Sequence, residues 1–161
     1  MNKMREEAVW QRVMAACEEG PAPKKPCPKT DHCLTPEQVM ELLEQALLDA
    51  CTYRTLAGRV RKEVRRSLLQ LAQEEQQQVR KLEAVYYLMT GHRPCPDRPK
   101  APCVACTNEE LRKRYQLEVE SAARYCRLAE HAGSFAEVFH CLSRQERCHA
   151  QQILNLLQRC L

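Results

Sequence analysis

Four long segments of the sequence place their apolar residues on one face of a helix. Apolar side chains recur at positions i, i+3 and i+4 within residues 36–60, 62–89, 107–133 and 134–161. Good helix formers are abundant, whereas the chain has four glycines and only 5% aromatic residues. This composition argues against a sheet sandwich or barrel, and the sequence predicts an all-α fold.

Capping signals predict where three of these helices begin. Thr35 has the character of an N-cap, and Gln38, three residues later, closes a capping box. The same signal predicts N-caps at Thr107 and Ser134, and Gly133 is predicted to end the third helix.

The second pair of helices repeats the first. Residues 53–57 (YRTLA) match 125–129 (YCRLA), and residues 71–78 (LAQEEQQQ) match 142–149 (LSRQERCH). The repeated unit is therefore a helical hairpin rather than a short solenoid repeat. Because the links inside each pair are short, we expect the two helices of each pair to be antiparallel neighbours.

A proline-rich stretch, residues 91–107, joins the two predicted hairpins. Fully extended, it spans roughly 50 Å, whereas a helix of about 25 residues is about 38 Å long. The stretch can therefore cross the length of a four-helix bundle. We expect this bundle to occupy residues 35–161, preceded by an amphipathic helix over 1–18 and a linker over 19–34 that contains proline and cysteine.

The motif Glu146-x-x-His149 lies on the apolar stripe of the last helix, with its two side chains one turn apart. Burying a carboxylate and an imidazole together is costly without a partner, and a metal ion satisfies both. Glu118 lies on the inward stripe of the preceding helix, and Glu75 on that of the second. One Glu followed by Glu-x-x-His on the next helix is half of a carboxylate-bridged dinuclear centre.

On these residues the chain resembles the ferritin-like superfamily, specifically its rubrerythrin-type branch. The resemblance covers about residues 36–161 and includes the duplicated Tyr-x-x-Leu-Ala block and the long crossover. It implies a ferritin-like four-helix bundle with a di-iron or di-manganese site in its core. It also implies an oxidoreductase activity on peroxide or O₂, or iron oxidation, together with an external electron donor and a homodimer.

The first hairpin departs from that pattern. The duplication aligns Ala46 with Glu118 and Gln78 with His149, and neither residue is a good metal ligand. Gln78 and Asp49, one turn beyond Ala46, are possible additional ligands. The site is therefore mononuclear or dinuclear, and holds iron, manganese or zinc. In the alternative interpretation, the buried polar residues form a metal-free network, and the protein is a non-catalytic bundle that serves in binding or as a scaffold.

Two tyrosines and several cysteines are further candidates. Tyr53 and Tyr125 either orient a metal-binding carboxylate or are ordinary core residues. Cys103 and Cys106 form a CxxC pair, with Cys95 upstream. These are zinc ligands, a disulfide or redox pair, or simple reduced thiols.

Charge and hydropathy exclude several classes of partner. Eleven cysteines are typical of a secreted, disulfide-rich chain, but the first residues are charged and show no signal-peptide apolar region. We therefore expect a cytoplasmic protein. A net charge of +4 is too small to indicate a nucleic-acid partner. No apolar run approaches the roughly 18 residues of a membrane-spanning helix.

Overall fold

The structure is a computed structural model that describes residues 33–160. Its helices are α1 (Pro36–Ala57), α2 (Lys62–Thr90), α3 (Thr107–Ala129) and α4 (Ala136–Cys160), with a 3₁₀ turn at Gly133–Phe135. This part of the chain contains no strand, which confirms the all-α prediction. The helix predicted over 1–18 and most of the linker predicted over 19–34 lie outside the described residues.

The four helices are paired as two hairpins. α1 packs along α2, α3 packs along α4, and α2 also contacts α4. Two apolar clusters fill the interior, one around Leu43, Leu82 and Phe139 and the other around Leu56, Leu68 and Ile153. Buried polar residues of the helix middles occupy the layer between these clusters. The fold thus places a polar layer between two apolar regions.

The first predicted helix start is confirmed by its hydrogen bonds. The amide of Gln38 donates to the Thr35 hydroxyl at 3.3 Å, and the amide of Thr35 donates to Gln38 Oε1 at 3.0 Å. This helix ends at Ala57 rather than near residue 60, and its last turn tightens, with the Arg59 amide donating to the Leu56 carbonyl three residues back at 2.9 Å.

The predictions at the ends of the second hairpin were wrong by a few residues. Thr107 is already in the helix, so Cys106 takes the N-cap position and no side chain caps this end. α3 ends at Ala129, before Gly133. Gly133 has a φ of 56°, which suits a glycine, and starts the 3₁₀ turn. That turn includes Ser134, the predicted N-cap, and it delays the start of α4 to Ala136.

The crossover between the hairpins runs beside α1. The amide of Asp97 donates to Glu44 Oε1 at 3.3 Å, and Arg59, beyond the other end of α1, donates to the carbonyl of Val104. Glu44 and Ala57, the last residue of α1 before Arg59, are about 20 Å apart at 1.5 Å per helical residue. The crossover segment therefore runs along about the second half of α1. None of the described helices is long and apolar enough to cross a membrane.

Candidate metal centre

The polar layer contains the four residues that the sequence predicted as metal ligands. Glu75 comes from α2, Glu118 from α3, and Glu146 and His149 from α4, and all four are buried. One ligand atom from each residue lies within 4.8 Å of the corresponding atoms of the others. The structure thus brings together side chains from three helices, and each lies on the inward face that the apolar stripes predicted.

The Nδ1 atom of His149 lies among the three carboxylates. It is 2.9 Å from Glu75 Oε1, 3.4 Å from Glu118 Oε2 and 3.8 Å from Glu146 Oε1. The spacing of one helical turn between Glu146 and His149 places both on the same inward face of α4. One imidazole nitrogen therefore faces one carboxylate oxygen from each of three glutamates.

Three of these atoms are buried without a hydrogen bond. Glu75 Oε1, Glu118 Oε2 and His149 Nδ1 have no aligned partner, although His149 Nδ1 and Glu75 Oε1 are only 2.9 Å apart. Leaving such atoms unsatisfied costs about 1–3 kcal/mol each. A cation among them satisfies all three. At metal–ligand distances of about 2.2 Å, opposite ligands lie about 4.4 Å apart, so small side-chain movements make the 4.8 Å group fit one ion.

The other nitrogen of His149 is held by Glu74, which the sequence analysis missed. His149 Nε2 is 2.9 Å from Glu74 Oε2, and Glu74 also accepts from Gln70 Nε2 at 2.9 Å. The bond to His149, outweighing partial burial, lowers the pKa of Glu74. A carboxylate on the outer nitrogen fixes the ring so that Nδ1 faces the site. The signal that could have found Glu74 is its place beside Glu75, at the edge of the inward stripe.

The first hairpin contributes two hydrogen-bond donors to the cluster. The Tyr53 hydroxyl donates to Glu118 Oε1, and Gln78 Nε2 donates to Glu146 Oε1. Burial, reinforced by the nearby carboxylates, raises the pKa of Tyr53 well above its ordinary value, so the phenol keeps its proton. Tyr53 therefore contacts a candidate ligand directly. Tyr125 packs against Phe139, with ring centroids 6.1 Å apart.

The buried carboxyl groups differ in protonation. Burial raises the pKa of Glu75 to about 8, and burial together with the neighbouring Glu75 and Glu118 raises the pKa of Glu146 well above its usual range. Burial also opposes ionisation of Glu118, but His149 and the Tyr53 hydroxyl lower its pKa. Despite its burial, His149 has a raised pKa because Glu118, Glu74 and Glu75 surround it. Without metal, protons occupy several of the ligand atoms.

Asp49, predicted as a possible additional ligand, has another partner. It accepts hydrogen bonds from Arg114 Nη1 and from Gln45 Nε2, and it is not a member of the ligand group. Burial raises the pKa of Asp49 to about 6, against the opposing effect of Arg114. The guanidinium also approaches Glu110, with Arg114 Nε 3.2 Å from Glu110 Oε1. Asp49 thus neutralises a buried arginine in this structure, and its role as an additional ligand stays a prediction.

The crossover cysteines do not form a second centre. Cys95, Cys103 and Cys106 are exposed free thiols. Within residues 33–160, the buried Glu/His group is the single cluster of three or more His, Cys, Asp or Glu side chains placed to hold a metal. The CxxC segment instead turns Val104 into the core, so its two cysteines lie at the surface. The structure shows no disulfide among these three cysteines, while a zinc site and a redox role of the CxxC pair stay predictions.

Comparisons with known proteins add no relative. No model of a protein family, no curated protein and no solved structure matches the chain. The fold and the candidate metal centre are therefore interpreted from the geometry of this chain.

Proposed function

We propose that this protein binds a divalent transition-metal ion in the core of its helical bundle, through Glu75, Glu118, Glu146 and His149. The single observation that carries the proposal is the set of buried oxygen and nitrogen atoms that face one another in the polar layer without an aligned hydrogen bond. A mixture of carboxylate oxygens and one imidazole nitrogen suits iron, manganese or zinc.

We further propose that the chain is a rubrerythrin-like, ferritin-like protein and an oxidoreductase acting on peroxide or O₂. The paired hairpins, the long crossover and Glu-x-x-His on α4 support this proposal. Iron or manganese bound at the centre supplies the redox chemistry. The chain's own residues orient the ligands: Glu74 fixes His149, and Tyr53 fixes Glu118. An external electron donor and a homodimer belong to this proposal.

A second function is a non-catalytic bundle used in binding or as a scaffold. The observation that favours it is the absence of ligands from two positions of the first hairpin, where Ala46 is apolar and Gln78 donates a hydrogen bond instead. In this case hydrogen bonds from protonated side chains, rather than a metal ion, satisfy the buried polar atoms.

Metal content per chain, measured by elemental analysis, separates the two functions. The protein is purified anaerobically without chelators, beside a Glu146→Gln/His149→Gln variant. Glu137→Gln/His140→Gln is the matched control, because both residues are exposed on the same helix and have the same spacing. The proposal requires iron or manganese in the wild type and in the control, and its loss from the double variant.

Other results contradict the proposal in distinct ways. A wild type without metal, even after anaerobic reconstitution with Fe(II) or Mn(II), supports the scaffold. If zinc remains in the double variant but is lost from Cys103→Ser/Cys106→Ser, the metal site lies in the crossover. If the bundle does bind metal, turnover of hydrogen peroxide with a chemical reductant tests the oxidoreductase proposal.

A further inference from the structure

The two hairpins supply different chemistry to the same polar layer. The second hairpin supplies Glu118, Glu146 and His149, whereas Glu75 is the sole member of the ligand group from the first. At the repeat-related positions the first hairpin has Ala46 and Gln78, and both are buried. A dinuclear centre with two equivalent halves needs a carboxylate and an imidazole at those positions. The residues present therefore do not fit such a centre.

The first hairpin places neutral hydrogen-bond donors on two carboxylates of the cluster. One oxygen of Glu118 accepts from the Tyr53 hydroxyl, while its other oxygen lies 3.4 Å from His149 Nδ1 without a hydrogen bond. Glu146 Oε1 accepts from the amide of Gln78. A carboxylate that bridges two ions uses both of its oxygens. Here each of these two carboxylates has one oxygen occupied by a donor.

A buried ion pair lies next to this region as well. Arg114 is one helical turn before Glu118 on α3, and Asp49, its partner, is one turn after Ala46 on α1. The guanidinium also lies 3.2 Å from Glu110 Oε1, so its charge is compensated within the cluster. Because Asp49 is engaged in this buried pair, it does not replace the ligand that Ala46 lacks.

We propose that the site holds a single divalent ion, and that Ala46 and Gln78 set this limit, because neither supplies a ligand and Gln78 instead donates to Glu146 Oε1. This inference rests on the proposed metal binding and adds its stoichiometry. The ion takes the unpartnered atoms of Glu75, Glu118 and His149 together with Glu146. Gln78 and Ala46 stand at the positions from which the repeat would supply ligands to a second ion.

The test is metal stoichiometry together with the electron paramagnetic resonance spectrum of the Mn(II)-loaded protein. The wild type is compared with Ala46→Glu/Gln78→His, which restores the two missing ligand types. Ala46→Gln/Gln78→Leu is the matched control, because it fills similar volume without adding a ligand. Helicity and the unfolding midpoint of each variant show that it folds.

We expect about one Mn(II) per chain in the wild type, with the hyperfine pattern of an isolated ion. In Ala46→Glu/Gln78→His we expect about two ions per chain and the spectrum of an exchange-coupled pair. The control variant binds no additional ion.

Three results overturn the inference. A wild type that binds two ions per chain, or gives a coupled spectrum, contradicts it while leaving the proposed metal binding intact. A folded Ala46→Glu/Gln78→His variant that still binds one ion removes Gln78 and Ala46 as the determinants. A wild type that binds no ion contradicts the proposed function itself. Because the wild-type spectrum alone distinguishes one ion from two, the inference is decided even if the double variant does not fold.

Discussion

The two hairpins of this bundle are repeats of each other in sequence and differ in the chemistry of their inward faces. The second hairpin carries three of the four candidate ligands, and the first carries Tyr53 and Gln78, which donate to them. Both hairpins keep the apolar positions that build the two clusters. The two repeats therefore agree in their packing residues and differ in their buried polar residues. The contrast shows that two hairpins with similar apolar positions can pack in one bundle while their inward faces carry different polar chemistry.

The largest expected effect tests how the two hairpins are held together. Arg114→Ala leaves Asp49 buried without its partner, so we expect the free energy of unfolding to fall by about 3–5 kcal/mol. Arg124 and Glu41 also join α3 to α1, at 2.9 Å, but their side chains are 41% and 65% exposed. Arg124→Ala is therefore the matched control and costs less than about 1 kcal/mol. Urea denaturation in the presence of a chelator measures the free energy of unfolding of both variants. Equal losses would show that the burial of the Arg114–Asp49 pair does not matter.

The second effect tests whether the ligand-bearing hairpin gains stability from metal. At a free Mn(II) concentration about 100 times its dissociation constant, the folded state is stabilised by about 2.7 kcal/mol. For a chain of this size, Tm then rises by about 5–10 °C. We expect no rise in Glu146→Gln/His149→Gln and an unchanged rise in Glu137→Gln/His140→Gln, both measured by thermal unfolding. A rise of equal size in the double variant would place the bound ion elsewhere.

The third effect tests whether Glu74, on the first hairpin, positions His149 on the second. Glu74→Gln weakens the acceptor that holds His149 Nε2, and we expect metal affinity to fall by about 10–100-fold with stoichiometry unchanged. Glu83→Gln, an exposed change on the same helix, leaves affinity unchanged. Competition with a chelator of known affinity measures both variants. If Glu74→Gln and Glu83→Gln behave alike, Glu74 does not position the imidazole.

The smallest effect is a dependence of metal affinity on pH. The pKa of Glu75 is raised to about 8, and those of Glu146 and His149 are also raised, so an entering ion displaces protons. Affinity therefore rises with pH, by up to about tenfold per pH unit for each proton displaced, and the contribution of Glu75 levels off above pH 8.

The stability of the metal-free protein changes in the opposite direction. A raised carboxyl pKa means that the folded state holds its proton more tightly than the unfolded state does. The contribution of Glu75 is therefore fully present below its ordinary pKa of 4.5 and is lost as pH rises to about 8. Unfolding with chelator at several pH values measures this trend. Affinity that falls with rising pH, or metal-free stability that rises over the same interval, would contradict the assigned protonation states.

Much of the candidate site could be predicted because the spacing of residues along a helix determines the face on which they lie. Residues three or four apart share a face, so the apolar stripes alone place Glu75, Glu118, Glu146 and His149 on the inward faces of their helices. The same rule also places Asp49 near the interior, and it is buried there. Helical phase, however, does not show which neighbour a buried group pairs with. Asp49 was therefore predicted as a ligand although Arg114 binds it.

The sequence by itself determined the all-α class, the start of α1 and the inward position of the four candidate ligands. These features depend on capping and periodicity, which involve residues a few positions apart. Only the tertiary structure decided the partners of the buried polar atoms. Tyr53 meets Glu118 across 65 positions, Gln78 meets Glu146 across 68, and Glu74 meets His149 across 75. Such pairings depend on how the two hairpins are aligned against each other, and that alignment is set by the packing of both apolar clusters at once.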